Sequence, residues 1–127
     1  MAAKRVILEM GAGNDLHGGD YTKAAVRAVE DALHHSSLSF VRSLGLDKHS
    51  LRVDVTVGVQ RPELVDTERV KAALPAGRVS VRAVKGGLDV PQVTAGDFAA
   101  IAGAAVEVWI DDPEDLVPRP PGSGRES

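Results

Sequence analysis

The chain has 127 residues, 43% of them hydrophobic, so it can close one core of ordinary density and we expect a single domain. Its net charge of −3 and its aromatic content of 3% argue against a nucleic-acid partner, because phosphates need a basic face and bases need rings to stack on. The chain has no cysteine, which excludes disulfides, thiolate zinc sites and cysteine nucleophiles.

The first predicted elements are a strand and a helix, separated by glycines. Residues 4–10 are branched and apolar, which indicates a buried strand. From Ala25 onward, apolar residues recur at offsets of four, seven and eight, the spacing of one helix face, and Asp20 is a suitable N-cap. The serines at 36 and 37 predict a break, followed by a second short helical segment that ends at Gly45.

The middle of the chain has the clearest pattern, LRVDVTVGV at 51–59, where apolar and polar residues alternate. This alternation predicts a strand with one buried and one polar face. Asp66 precedes a short helical stretch that Pro75 ends, and RVSVRAV at 78–84 and AAVEVWI at 104–110 predict two more strands. We expect a long loop between these two strands, in which Lys85, Asp89 and Asp97 lie beside paired glycines.

The order β-α-β-α-β-β predicts the fold class, an α/β (α+β) sandwich. We expect a mixed sheet of four strands with its helices on one face. The domain is predicted to span residues 1–112, while residues 113–127, rich in proline, glycine and charge, are predicted to form a disordered tail. The sheet face without helices needs cover, which favours a homo-oligomer.

The stretch MGAGNDLHGGDYTKAA, residues 10–25, carries the candidate site. A phosphate-binding loop is disfavoured, because the third glycine of GxGxxG is missing and no GK[ST] follows. A metal site would use Asp15, His17 and Asp20, with Glu9 as a fourth ligand, although this spacing matches no established signature. A structural turn, in which the glycines supply positive φ, explains the same residues without any chemistry.

The remaining alternative is an acid/base pair. Residues two apart in an extended segment face the same side, so Asp15 can orient His17 and make it a general acid or base near neutral pH. The first hypothesis is therefore an oligomeric enzyme that acts on a small polar molecule by proton transfer or hydrolysis. The second hypothesis is a non-catalytic ligand-binding or assembly module, and the sequence leaves the cofactor of either one unknown.

Substrate binding in the enzyme hypothesis is assigned to glycines and lysines. Gly11, Gly13 and Gly18 let the backbone come close to a ligand. Lys23 and Lys85 are candidates to anchor an anionic group of the substrate.

The signature GxGxDxHG, present here as GAGNDLHG, resembles that of the Lin family of conserved hypothetical proteins. The resemblance covers the chain to about Asp112 and includes DYTKAAVRAVEDAL, GGLDVP and GAAVEV. The resemblance implies membership of this family but no particular activity, since none is assigned to the family. The layout is also similar to the small folds of chorismate mutases and reactive-imine deaminases, which form trimers with ligand sites between subunits. That similarity assigns no catalytic residues, because fold analogy does not transfer function.

Targeting signals are not apparent in the sequence. The apolar run before Glu9 is too short for a signal peptide. The most apolar stretch, FAAIAGAAVEVWI, is shorter than the roughly 20 residues of a spanning helix and contains a glutamate. We therefore expect no membrane partner and, together with the absence of cysteine, a cytoplasmic location.

Overall fold

The computed structural model describes residues 3–34, 51–74 and 77–110. The strands are β1 (Lys4–Asp15), β2 (Leu51–Val59), β3 (Arg78–Lys85), β4 (Leu88–Pro91) and β5 (Phe98–Ile110). The helices are α1 (Tyr21–His34) and α2 (Thr67–Lys71), and a single 3₁₀ turn covers Pro62–Leu64. The helical segment predicted after the serines and the predicted tail at 113–127 lie outside the described residues.

The strands form one mixed sheet in the order β1-β5-β2-β3. β5 is antiparallel to both of its neighbours, whereas β2 and β3 are parallel. β4 pairs antiparallel with the first residues of β5, from Leu88 opposite Ile101 to Pro91 opposite Phe98. The mixed sheet with helices is thus confirmed, while the likeness to chorismate mutases and imine deaminases stays a prediction.

The number of strands predicted from the sequence was wrong, since the sheet has five strands and not four. Part of the predicted loop forms β4, and β5 begins at Phe98 instead of Ala104. The start of β5 does not show the alternating pattern of a strand in the sequence. Ala99 and Ala100 are both buried although they are adjacent, so apolar and polar side chains do not alternate there.

β1 is also longer than predicted, because it continues through the glycines to Asp15. A Cβ atom on Gly13 would lie 2.3 Å from the backbone nitrogen of Ala28, and one on Gly11 would lie 2.4 Å from that of Ala32. The backbone of α1 therefore rests directly on β1, a contact that strand glycines permit. These two glycines are strand residues that make room for the helix.

The core lies between α1 and one face of the sheet. α1 presents a face of small residues, and the alternate residues of β2 and β5 point toward it as a layer of valines. Asp20 and Asp66 accept hydrogen bonds from first-turn amides of α1 and α2, as expected for N-caps. In the part of the chain that is described, no helix is long and apolar enough to cross a bilayer.

The face of the sheet that points away from α1 is the open face. It carries Leu8 and Met10 of β1, which are 44% and 67% exposed, and the polar alternates of β2, β3 and β5. Asp54 and Glu107 are cross-strand neighbours on this face. α1 and α2 contact each other on the core side, so neither covers the open face.

Candidate functional site

The candidate site is a cleft at the edge of the sheet where β1 ends and α1 begins. Its volume is about 440 Å³. Its wall includes Gly18, Gly19, Tyr21, Arg61, Asp89 and Phe98. The connection from β1 to α1 therefore meets the segment after β2, the short strand β4 and the start of β5 at one place.

Asp97, just before β5, holds the connection between β1 and α1 in position. Its Oδ1 accepts hydrogen bonds from the backbone N–H groups of Gly18 and Phe98, both at 2.8 Å. Its Oδ2 lies 3.3 Å from Nδ1 of His17. The pKa of Asp97 is held below its ordinary value, most strongly by the hydrogen bond from the Gly18 amide and next by the contact with His17. The carboxylate is therefore kept ionised as an anchor for the loop.

His17 lies on this loop with 80% of its side chain exposed, and its ring pairs with Asp97. The sequence predicts Asp15 as the partner of His17, but the structure places the Asp97 carboxylate there. Asp15 is 9% exposed, accepts a hydrogen bond of 2.9 Å from the Asp20 amide and lies 3.5 Å from the Arg27 guanidinium. The reason is that the chain bends from residue 16 to residue 18, so residues two apart no longer share a side.

The five predicted substrate-binding residues lie in different places. Gly18, with φ of +86°, lines the cleft. Gly11 and Gly13 lie beneath α1, packed against its backbone. Lys23 and Lys85 are exposed and do not line the cleft. Their proposed contact with an anionic group stays a prediction.

Tyr21 and Asp89 form the polar part of the cleft wall. The Tyr21 hydroxyl donates a hydrogen bond of 2.5 Å to Oδ2 of Asp89. Burial, and then this bond to a carboxylate, raises the pKa of Tyr21 to about 12. The hydroxyl therefore stays a donor at neutral pH and fixes the position of β4 relative to α1.

Phe98 forms the apolar part of the wall. Its ring centroid is 5.8 Å from that of Tyr21, with the ring planes tilted by 45°. A Cβ atom on Gly19 would lie 2.1 Å from the Phe98 ring, and Gly19 also has a positive φ of 58°. A residue without a side chain at position 19 is thus what allows the ring to lie against the loop.

Sequence reasoning missed several of the residues that surround the cleft. Arg61, Tyr21 and Phe98 carry no local motif, because they come from three separate segments: Arg61 follows β2, Tyr21 begins α1 and Phe98 begins β5. Asp89 and Asp97 lie beside paired glycines in the sequence, but nothing in their spacing indicates that Asp97 reaches His17. Within the described ranges, no three His, Asp or Glu side chains are arranged to hold a metal ion.

Comparisons with known proteins give a family and one structural relative. Residues 5–108 match the model of a family described as a conserved hypothetical protein family, Lin0512. A comparison with curated proteins found no match. The chain is similar to a crystal structure of an FtsZ-like protein of unknown function from Nostoc punctiforme, with 39% identity, a TM-score of 0.78, and coverage of 88% of this chain and 99% of that one. The chain therefore belongs to the Lin0512 family of conserved hypothetical proteins.

Proposed function

We propose that the protein is an enzyme that binds a small polar molecule in the cleft and moves a proton to or from it with His17. One observation carries this proposal. The His17 ring is paired with Asp97, and the next two residues of the same loop, Gly18 and Gly19, line the cleft. His17 therefore directly precedes, in the chain, two residues that line a cleft of the size that small-molecule ligands occupy.

The His17–Asp97 arrangement is suited to proton transfer. When Nδ1–H of His17 donates to the Asp97 carboxylate, the tautomer is fixed and Nε2 is left to accept a proton. The same carboxylate stabilises the imidazolium that forms. Asp97 is a positioning residue in this scheme, because it acts through the imidazole. A base of this kind supports either isomerisation by proton transfer or hydrolysis by activation of water.

The test begins with a panel of small polar molecules screened for binding by saturation-transfer NMR. Each molecule that binds is then incubated with the protein, and its conversion is followed by proton NMR. We expect the wild-type protein to convert at least one of them, and His17→Gln to bind it but convert it at least 100-fold more slowly, as removal of a general base typically does. His34→Gln, at the exposed end of α1, is the matched control and keeps wild-type activity. Equal conversion by His17→Gln, or a panel without any bound molecule, would contradict the proposal.

A second candidate function, a non-catalytic assembly module, is favoured by the open face. Leu8 and Met10 are exposed there, and Arg82 of β3 lies near the acidic pair Asp54 and Glu107. A surface with both signs of charge beside an apolar row is suited to a second copy of the chain. In that case Met10→Glu would lower the molar mass measured by light scattering, whereas His17→Ala would leave it unchanged. An unchanged mass for Met10→Glu would argue against assembly through this face.

A further inference from the structure

The charged groups around the cleft are of both signs. Oδ2 of Asp89 accepts the Tyr21 hydroxyl, and Oδ1 of Asp20 accepts the Lys23 amide. Among the described residues, the second oxygen of each carboxylate has no hydrogen-bond or ion-pair partner. Arg61, an exposed residue, also lines the cleft, and its positive charge lowers the pKa of Tyr21, against the larger effect of burial.

An apolar surface lies beside these charges. Leu64, in the 3₁₀ turn after Arg61, lines the cleft and is 56% exposed. Phe98 lines it from the side of β5, with its ring against Tyr21. A ligand that occupies the cleft would thus cover an exposed leucine and one aromatic ring, which favours a ligand with an apolar part.

We propose that the ligand of the cleft is a free α-amino acid with an apolar side chain, an assignment that rests on the proposed function of the same site. The ammonium group pairs with the carboxylates of Asp89 and Asp20, and the α-carboxylate pairs with Arg61. The side chain covers Leu64 and Phe98. A simple amine would leave the guanidinium without a counter-charge, and a simple acid would bring a third carboxylate beside two others. A zwitterion supplies a positive group for the carboxylates and a negative group for the guanidinium.

Three probes that share the same isobutyl group separate a zwitterionic ligand from a simple acid and a simple amine. They are L-leucine, 4-methylpentanoate, which lacks the ammonium group, and 3-methylbutylamine, which lacks the carboxylate. Isothermal titration calorimetry is expected to show binding of L-leucine to the wild-type protein at least 10-fold tighter than binding of either analogue. Equal affinity for leucine and one of the analogues would overturn the assignment.

Two substitutions test which residue meets which end of the ligand. Arg61→Gln is expected to weaken leucine binding at least 10-fold without changing the affinity for the amine. Asp89→Asn is expected to weaken leucine and the amine alike, while the Tyr21 hydroxyl keeps an acceptor in the amide oxygen. Arg69→Gln, exposed on α2 and outside the cleft, is the control and binds leucine as the wild type does. Unchanged leucine affinity in Arg61→Gln or Asp89→Asn would contradict the proposal.

The outcome also separates this assignment from the function on which it rests. If L-leucine, L-valine and L-phenylalanine all fail to bind while another molecule binds and is converted through His17, the amino-acid assignment fails and the enzyme proposal stands. If nothing binds in the cleft, both fail.

Discussion

Two pairs of glycines lie within nine residues of each other and serve different physical purposes. Gly11 and Gly13 are extended strand residues, and the backbone of α1 occupies the space where their side chains would be. Gly18 and Gly19 have positive φ, and they border the cleft. Gly11 and Gly13 allow α1 to pack closely on β1, whereas Gly18 and Gly19 allow the turn that borders the cleft.

The same contrast applies to the two carboxylates near His17. Asp15 is buried and supports the fold, because it accepts the amide of Asp20 at the start of α1. Asp97 is more exposed and supports the site, because it holds the Gly18 amide and the His17 ring. One signature in the sequence therefore combines residues required for folding with residues that shape the candidate site.

The largest effect is expected from Gly13→Ala. The new methyl group would lie 2.3 Å from the Ala28 nitrogen and 2.6 Å from the Ala24 oxygen, so the whole helix has to move. We expect a loss of about 3 kcal/mol in the free energy of unfolding, measured by urea denaturation. Gly103→Ala in β5, where no atom lies within 4 Å of the added carbon, is the control and is expected to change stability by less than about 0.5 kcal/mol. Similar losses in the two variants would show that α1 does not rest on β1.

Gly19→Ala is expected to lower stability less than Gly13→Ala does, and to weaken ligand binding more. The substitution combines an unfavourable left-handed backbone with displacement of the Phe98 ring, at a cost of about 2 kcal/mol. Gly18→Ala has the backbone cost alone, about 1 kcal/mol, because its nearest contact is at 4.0 Å. Thermal unfolding and ligand titration of both variants test this order. A Gly18→Ala variant less stable than Gly19→Ala would refute the contribution of Phe98.

The two carboxylates are distinguished by Asp15→Ala and Asp97→Ala. Loss of Asp15 leaves the Asp20 amide without its acceptor at a partly buried position, and we expect a cost of about 2 kcal/mol. Loss of Asp97 is expected to abolish conversion of any substrate that depends on His17, because no carboxylate then holds the imidazole. Chemical denaturation gives the first quantity and the NMR conversion assay the second. Full activity in Asp97→Ala would rule out its positioning role.

The smallest effect concerns Tyr21 at alkaline pH. Its pKa is raised from 10.0 to about 12 in the folded protein, so its contribution to stability is complete below pH 10 and is lost as the pH rises toward 12. Tyr21→Phe lacks this titration. We expect the stability difference between wild type and Tyr21→Phe to shrink from pH 9 to pH 11.5 in urea denaturation. A constant difference would mean that the hydroxyl is not buried against Asp89.

Local patterns predicted a mixed sheet with helices, but they missed β4 and the start of β5. The alternation in LRVDVTVGV and the helical spacing after Tyr21 depend on neighbours in the chain, and both elements form as predicted. The site was only partly predictable. The loop with His17 was identified, but its partner Asp97 is 80 residues away and is brought there by the pairing of β5 with β1. Arg61 and Phe98 were missed for the same reason, since no spacing within a segment reports a contact between segments.

Whether the cleft is the ligand site is tested most directly by the backbone amide signals of the two glycine pairs in a nitrogen-15 correlation spectrum. During titration with a molecule that binds, we expect saturable shifts at Gly18 and Gly19, with Gly11 and Gly13 essentially unchanged. Saturable shifts confined to Leu8, Met10 and their neighbours on the open face, with Gly18 and Gly19 unmoved, would contradict this expectation.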